Sequence, residues 1–310
     1  MSKHLTRLHA RDTRSPRVRL VVGGASKSGT TAMYYYLKQH PQVCVPRRKE
    51  LHFFSRKQLA AQVAGPGDRS VVAELPSAFS DYLEFFSHCP EAQIGADISP
   101  SYLFHHQSAA LIAKSLADPR LVFVLRNPAD KAFSQYVHLL SSGRESLSFD
   151  QALQEEAQRK RSGYADIWLY RESGFYAESL REFLRVLGAE RVRIYYFEEF
   201  VSDPNHVLAD ICSLCGVAAD FPFTPVAEVN PTGTPRSRLI SRLIAPNALS
   251  SLLKRALPSG LAQELKRRVK AANSAGKPRL DEALQAELIA GYRSDIAEVE
   301  RIVGRPSGWL

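Results

Sequence analysis

Two short segments carry residue types suited to holding phosphate. Gly24-Ala-Ser-Lys-Ser-Gly-Thr-Thr31 joins a lysine to glycines and hydroxyls, between the β-branched run Val18–Val22 and a helix-like stretch from Thr30 or Thr31. A strand, a glycine loop and a helix N-terminus in that order aim several backbone N–H groups at one point, and the helix dipole adds to them. Lys27 supplies a full positive charge, and Ser28, Thr30 and Thr31 supply hydroxyl donors. The Walker A pattern is similar, but the glycine that opens it is absent and a glycine follows the Lys-Ser pair instead. The second segment is the apolar run Leu121–Leu125, which leads straight into Arg126-Asn-Pro128. Such a strand delivers Arg126 to the carboxyl edge of a sheet, where open α/β folds bind ligands. Pro128 can open the next helix, and Ser134 lies roughly two helical turns beyond Arg126. A P-loop kinase would place an acidic metal ligand at a comparable strand end. An arginine there points instead to a second phosphate bound without a metal.

These segments need a scaffold, and the composition allows one. The chain has 310 residues, 45% hydrophobic and 24% charged, which excludes disorder, collagen-like repeats and a disulfide-built miniature fold. No stretch is long and apolar enough for a membrane span, and the N-terminus lacks the apolar stretch of a secretory signal. Short apolar strands at Val18–Val22, Ile94–Ile98, Leu121–Leu125 and Arg191–Phe197 alternate with helical patterns. The helical patterns fall at Ser80–Ser87, Ala109–Leu116, Phe149–Arg161, Tyr176–Leu187, near Val207–Leu214 and at Asp281–Val303, with residues 64–70 as a loop. This alternation indicates an α/β fold, a mainly parallel central sheet covered by helices on both faces, with helical additions. Residues 1–16 read as a basic flexible tail and 17–310 as one domain.

Charge is unevenly placed. The formal net charge is +9, yet residues 236–280 alone carry eleven basic side chains against Glu264. That amphipathic, basic segment suits docking on an anionic membrane surface or guiding an anionic acceptor. It does not resemble a uniformly basic nucleic-acid coat, so no specific nucleic-acid partner is expected. Cys44 and Cys89 stand alone, while Cys212 and Cys215 fall at i, i+3 inside an apolar helix without a second pair, a poor zinc or redox pattern. A reducing, cytoplasmic address follows as the default, peripheral at the inner membrane surface if the basic segment docks there.

Lys27-Ser-Gly-Thr-Thr31 together with Arg126-Asn-Pro…Ser134 resembles the 5′-phosphosulfate loop and 3′-phosphate site of sulfotransferases. Those enzymes use 3′-phosphoadenosine 5′-phosphosulfate (PAPS). Lys49-Glu-Leu-His-Phe-Phe54 resembles the segment that carries the catalytic glutamate in heparan-sulfate-type members, and Ser99-Pro-Ser-Tyr-Leu103 matches another recurring stretch. Val229–Arg236 resembles the late loop that closes over the nucleotide, and Tyr292 through Trp309 the C-terminal helix of bacterial members. The similarity spans about residues 18–310 and implies a P-loop-like three-layer fold.

The resemblance implies that Lys27 contacts the phosphosulfate and that Ser28, Gly29, Thr30 and Thr31 cradle the 5′-phosphate. Arg126 and Ser134 would bind the 3′-phosphate, with Gly233 and Arg236 completing that pocket. Glu50 matches the catalytic base, and His52, two residues on, shares a face with it if the segment is extended. There is a physical case beside the analogy. An alcohol is a poor nucleophile whose proton must leave as the O–S bond forms, so a base is required. Two positions depart from the pattern: Ile98 stands where some relatives carry lysine, and Phe197 where many carry tyrosine, able to stack on adenine without a hydroxyl. The expected activity is sulfuryl transfer from PAPS, without a metal, to a hydroxyl or, second, an amine of a carbohydrate, glycolipid or other small acceptor. A P-loop small-molecule kinase and a non-catalytic basic nucleic-acid or membrane-binding module are the alternatives. Acceptor walls are expected at residues 56–92 and 141–175, with Tyr82, Phe85, Phe86, Tyr164, Trp168 and Tyr170 as stacking candidates better suited to the core.

Overall fold

The computed structural model describes residues 17–226 and 279–310. Gly233, Arg236, the 1–16 tail and the basic segment up to residue 278 lie outside the described residues. Five strands form one sheet: β1 (Val18–Gly24), β2 (Val43–Cys44), β3 (Ile94–Ile98), β4 (Arg120–Leu125) and β5 (Val192–Tyr196). Their order is β2-β3-β1-β4-β5 and every pairing is parallel. The chain leaves the carboxyl end of β1 toward β2 and that of β4 toward β5, in opposite directions across the sheet. A crevice opens between the carboxyl ends of these adjacent strands, where such folds take ligands.

Strand residues divide by parity between two apolar layers, as a pleated sheet covered on both faces requires. Val21, Leu121, Phe123 and Leu125 pack toward helices Ser108–Ser115, Pro128–Ser141, Ala177–Leu187 and the final helix Glu282–Val303. Leu20, Val22, Val122 and Val124 pack toward α1 (Thr30–Leu37) and helix Pro204–Cys215. The three-layer α/β arrangement is the one expected from the strand and helix patterns. The last helix also braces the others. The Asp295 carboxylate accepts the Tyr176 and Ala177 amides (2.8 and 3.1 Å), capping helix Ala177–Leu187, while Trp309 packs on Tyr196 and Tyr176.

Several expectations change. Cys44 and Cys89 do not stand alone: they form a disulfide across 45 residues of sequence, Cα atoms 5.8 Å apart. Cys44 lies on β2 and Cys89 in the stretch that precedes β3, so the bond joins two segments whose proximity the spacing of the two cysteines does not reveal. Disulfides persist in oxidising compartments. A reducing, cytoplasmic address inferred from unpaired cysteines therefore loses its basis. Among the described residues no helix is long and apolar enough to cross a membrane. The stretch 64–70 is not all loop, because helix Asp68–Ala73 begins within it after Gly67, and the 149–161 pattern is two helices, Phe149–Gln154 and Glu156–Arg161. Cys212 and Cys215 are buried free thiols in the apolar layer, and burial pushes them up to about 11 and about 12, away from thiolate chemistry.

Candidate active site

The Gly24–Thr31 loop spans the gap from β1 to α1, and its backbone is set for an anion. Lys27 and Gly29 take left-handed conformations (φ 67° and 81°), and Gly29 caps α1 with no side chain closing its first turn. The amides that open α1 therefore receive no side-chain acceptor from the cap. A Cβ on Gly29 would also meet Phe197 and Phe200 at 3.1–3.2 Å, so glycine is demanded twice over. Ser28 is fully buried, and its Oγ has no hydrogen-bond partner. A buried hydroxyl without a partner is costly, and a phosphate oxygen at this loop is the kind of acceptor that would satisfy it.

Arg126 reaches this loop. Its Nη1 donates to the Lys27 carbonyl (3.3 Å), and its guanidinium lies 5.0 Å over the Phe197 ring. Phe197 therefore uses a ring face on Arg126, a cation–π contact, rather than being free on both sides to stack on a base. The Arg126 carbonyl accepts the Tyr176 hydroxyl (2.9 Å), and Asn127 caps the next helix by accepting the Ala129 and Asp130 amides (3.0 and 3.3 Å). Arg126 is thus held from both sides at the strand–helix junction. Ser134 lies half-buried on helix Pro128–Ser141, and among the described residues no hydrogen bond joins it to Arg126.

Glu50 and His52 come together by a route the sequence does not suggest. The segment is not extended: both residues are left-handed (φ 64° and 48°). Those two kinks, each disfavoured for an L-residue by about 1–2 kcal/mol, turn the His52 Nε2 to 3.6 Å from Glu50 Oε2. Lys49 also pairs with Glu50. Burial works to raise the Glu50 pKa, but the His52 hydrogen bond and the Lys49 charge outweigh it and hold the carboxyl well below the usual range. Glu50 is consequently an ionised, weak base.

A buried network holds His52. Its ring Nδ1 meets Ser101 Oγ at 2.6 Å, Ser101 meets Ser55 at 2.7 Å, and the His52 amide donates to Ser99 Oγ (3.0 Å). Ser99 in turn donates to Asp97 (2.6 Å), which also accepts the Tyr82 and Tyr102 hydroxyls (3.2 and 2.8 Å). Asp97 is fully buried, and burial raises its pKa. Asp97, Ser101 and Ser55 were not among the residues picked from the sequence. Only the Ser99–Leu103 stretch marked the region. Ile98, one residue along β3, faces the opposite apolar layer and carries no charge into the site. Tyr82, Phe86, Trp168 and Tyr170 are core residues, as their surroundings in the sequence suggest.

Comparison with known proteins follows the same line. Residues 19–221 match the model of the sulfotransferase family, and the chain belongs to that family. It is 26% identical over 198 residues to heparan sulfate glucosamine 3-O-sulfotransferase 3A1 of Mus musculus, covering 64% of this chain and 45% of that protein. It is 28% identical over 296 residues to heparan sulfate glucosamine 3-O-sulfotransferase 6 of Mus musculus, covering 93% of this chain and 72% of that protein. The chain thus spans about half the length of the first of these relatives. Among solved structures, a sulfotransferase from Alicyclobacillus acidocaldarius superposes with a TM-score of 0.74 at 29% identity, over 95% of this chain and 99% of that one.

Proposed function

We propose that this chain transfers a sulfuryl group from PAPS to a hydroxyl, or second an amine, of a carbohydrate or glycolipid acceptor. The observation that carries the reading is the meeting of Arg126 with the Lys27 loop across the β1/β4 crevice, at 3.3 Å. Two cationic side chains and a helix N-terminus there suit a nucleotide with two separate phosphate groups. Ser28, Gly29, Thr30 and Thr31 would cradle the 5′-phosphate, and Arg126 with Ser134 the 3′-phosphate.

In the transfer, Glu50 accepts the acceptor's proton while its oxygen bonds to sulfur and the bond from sulfur to the 5′-phosphate oxygen breaks. The hydroxyl acidifies as the new bond forms, so a weak base that is ionised before the step can take the proton late. Charge then develops on the departing 3′-phosphoadenosine 5′-phosphate (PAP), where Lys27 and the start of α1 face it. His52, fixed by Ser101, orients Glu50. The relatives' printed names, heparan sulfate glucosamine 3-O-sulfotransferases, support a carbohydrate acceptor.

Thermal shift with PAP, with ATP plus magnesium, and with an oligonucleotide tests the class. Selective stabilisation by PAP is expected, about 2.7 kcal/mol at a hundredfold excess over Kd. Stabilisation by ATP plus magnesium alone would favour the kinase, and by the oligonucleotide alone the binding module.

A further inference from the structure

Beside residues 164–168 lies a second, larger recess. Asp166 of that segment lines a small cavity shared with Ser26 of the loop, whereas Tyr164 and Trp168 line an open groove of about 560 Å³. That volume is within the range of ligand sites, roughly 300–1,000 Å³.

The two arginines that line the groove are already paired. Arg144 is paired with buried Asp68, which also accepts the Trp168 Nε1 and the Ala165 and Gly65 amides (3.0–3.1 Å). Arg159 is paired with buried Glu145 at 2.7 Å, and Glu145 further accepts the Tyr170 hydroxyl at 2.8 Å. Both guanidiniums lie against Trp168, at 5.3 and 5.1 Å. What remains exposed along one wall is a stripe of amides. Gln151, Gln154 and Gln158 are spaced by three and four residues, and all three line the groove. Their bonds to Ser148, Asp150 and Ser162 (3.0–3.3 Å), and the bond Gln158 accepts from Arg161 (2.8 Å), are on the surface, where a ligand hydroxyl can replace them. Tyr164, half-buried, adds an aromatic edge. The remaining lining charge is negative: Glu155 is exposed and, among the described residues, in no ion pair.

We propose that this groove binds the neutral, hydroxyl-rich stretch of a saccharide chain, at a distance from the group that receives sulfate. Exposed amides and a tyrosine match hydroxyls, while internally paired arginines and free Glu155 oppose a polyanion. The proposal rests on a saccharide acceptor, and deepens that reading by naming an uncharged chain.

Calorimetry with cellohexaose, maltohexaose, chitohexaose and a heparin hexasaccharide tests it, using the wild type and Gln154→Ala/Gln158→Ala. These are exposed positions, and unchanged PAP affinity would show the variant intact. The expected result is binding of at least one neutral hexasaccharide, weakened about fivefold or more in the variant, two lost hydrogen bonds being sufficient. No binding of any neutral hexasaccharide, or equal binding by wild type and variant, overturns the proposal. Heparin binding as tight as the neutral chain's and equally dependent on the two glutamines overturns the neutral class. None of these measurements requires turnover. A failure of the sulfuryl-transfer reading would appear separately, as wild type that does not bind PAP.

Discussion

The nucleotide side and the base side of the candidate site are assembled on different length scales. Lys27, Ser28 and Gly29 occupy one loop between β1 and α1, and Arg126 joins them from the neighbouring strand. The anion binding proposed for them would come from backbone direction and a helix terminus, local features that a few residues encode. Glu50 and His52 are also close in sequence, yet their arrangement depends on two left-handed residues and on Asp97, Ser99 and Ser101, some 47–49 residues further on. The proposed anion cradle is thus nearly self-contained, whereas the conformation of the proposed base is tied to a distant buried network.

The sharpest way to break this comparison is Glu50→Gln. The amide keeps size and hydrogen bonding but cannot take a proton, so turnover should fall about 10²–10⁴-fold with PAP affinity nearly unchanged. Single-turnover kinetics beside calorimetry separates the two. Near-normal turnover here, beside an inactive His52→Ala, would move the base to His52, and lost PAP binding would make Glu50 structural. The pH profile adds a sign. A carboxyl held well below its usual pKa stays ionised as pH falls, so Glu50 should contribute no acid limb in the ordinary carboxylate range.

Arg126→Ala should come next. A hydrogen bond to a charged group contributes about 1.5–3 kcal/mol, so PAP should bind roughly 10- to 100-fold more weakly. The analogue lacking the 3′-phosphate should lose much less. Equal losses would mean that Arg126 serves the loop through the Lys27 carbonyl and does not read the 3′-phosphate.

These two sides also differ in how far they could be read beforehand. Strands β1, β3, β4 and β5 were legible because buried parallel strands are short apolar runs bounded by turn residues. β2 has two residues, too few for any periodicity. The positions of Lys27 and Arg126 were legible because both follow directly from the ends of apolar strands. The kinks at Glu50 and His52 were not, since nothing in the segment marks them and the hydrogen-bond partners of His52, Ser99 and Ser101, lie far along the chain. The Cys44–Cys89 disulfide was hidden because it joins positions 45 residues apart that only the tertiary fold brings together.

Ser101→Ala tests the distant support itself. Losing the Nδ1 partner leaves His52 freer to turn away from Glu50, without touching the nucleotide loop. A net hydrogen bond is worth about 0.5–1.5 kcal/mol, so kcat should fall about 2- to 10-fold with KM for PAPS unchanged. With the His52 hydrogen bond to Glu50 weakened, the Glu50 carboxyl should move up toward its ordinary range and bring an acid limb into the profile, and Ser101→Thr should restore part of the loss by returning the hydroxyl. A fall in KM and kcat together, or no pH shift, would mean that Ser101 only fills space.

The smallest expected effect is that of metal removal. A P-loop kinase neutralises its phosphates with a cation held by acids near the loop. Here β4 ends in Arg126, and Asp97 near the end of β3 is already committed to Ser99, Tyr82 and Tyr102. Lys27 and Arg126 can therefore supply the charge the nucleotide needs, and the transferred sulfuryl group carries less charge than a phosphoryl group. Turnover with EDTA should stay within about twofold of turnover with magnesium, since single-digit changes amount to only a fraction of a 1.36 kcal/mol step. A tenfold or greater loss under EDTA, restored by magnesium, would show that the arginine does not replace a metal. It would also erase the contrast drawn between the two sides, because the nucleotide side would then depend on an assembled ligand set as the base does.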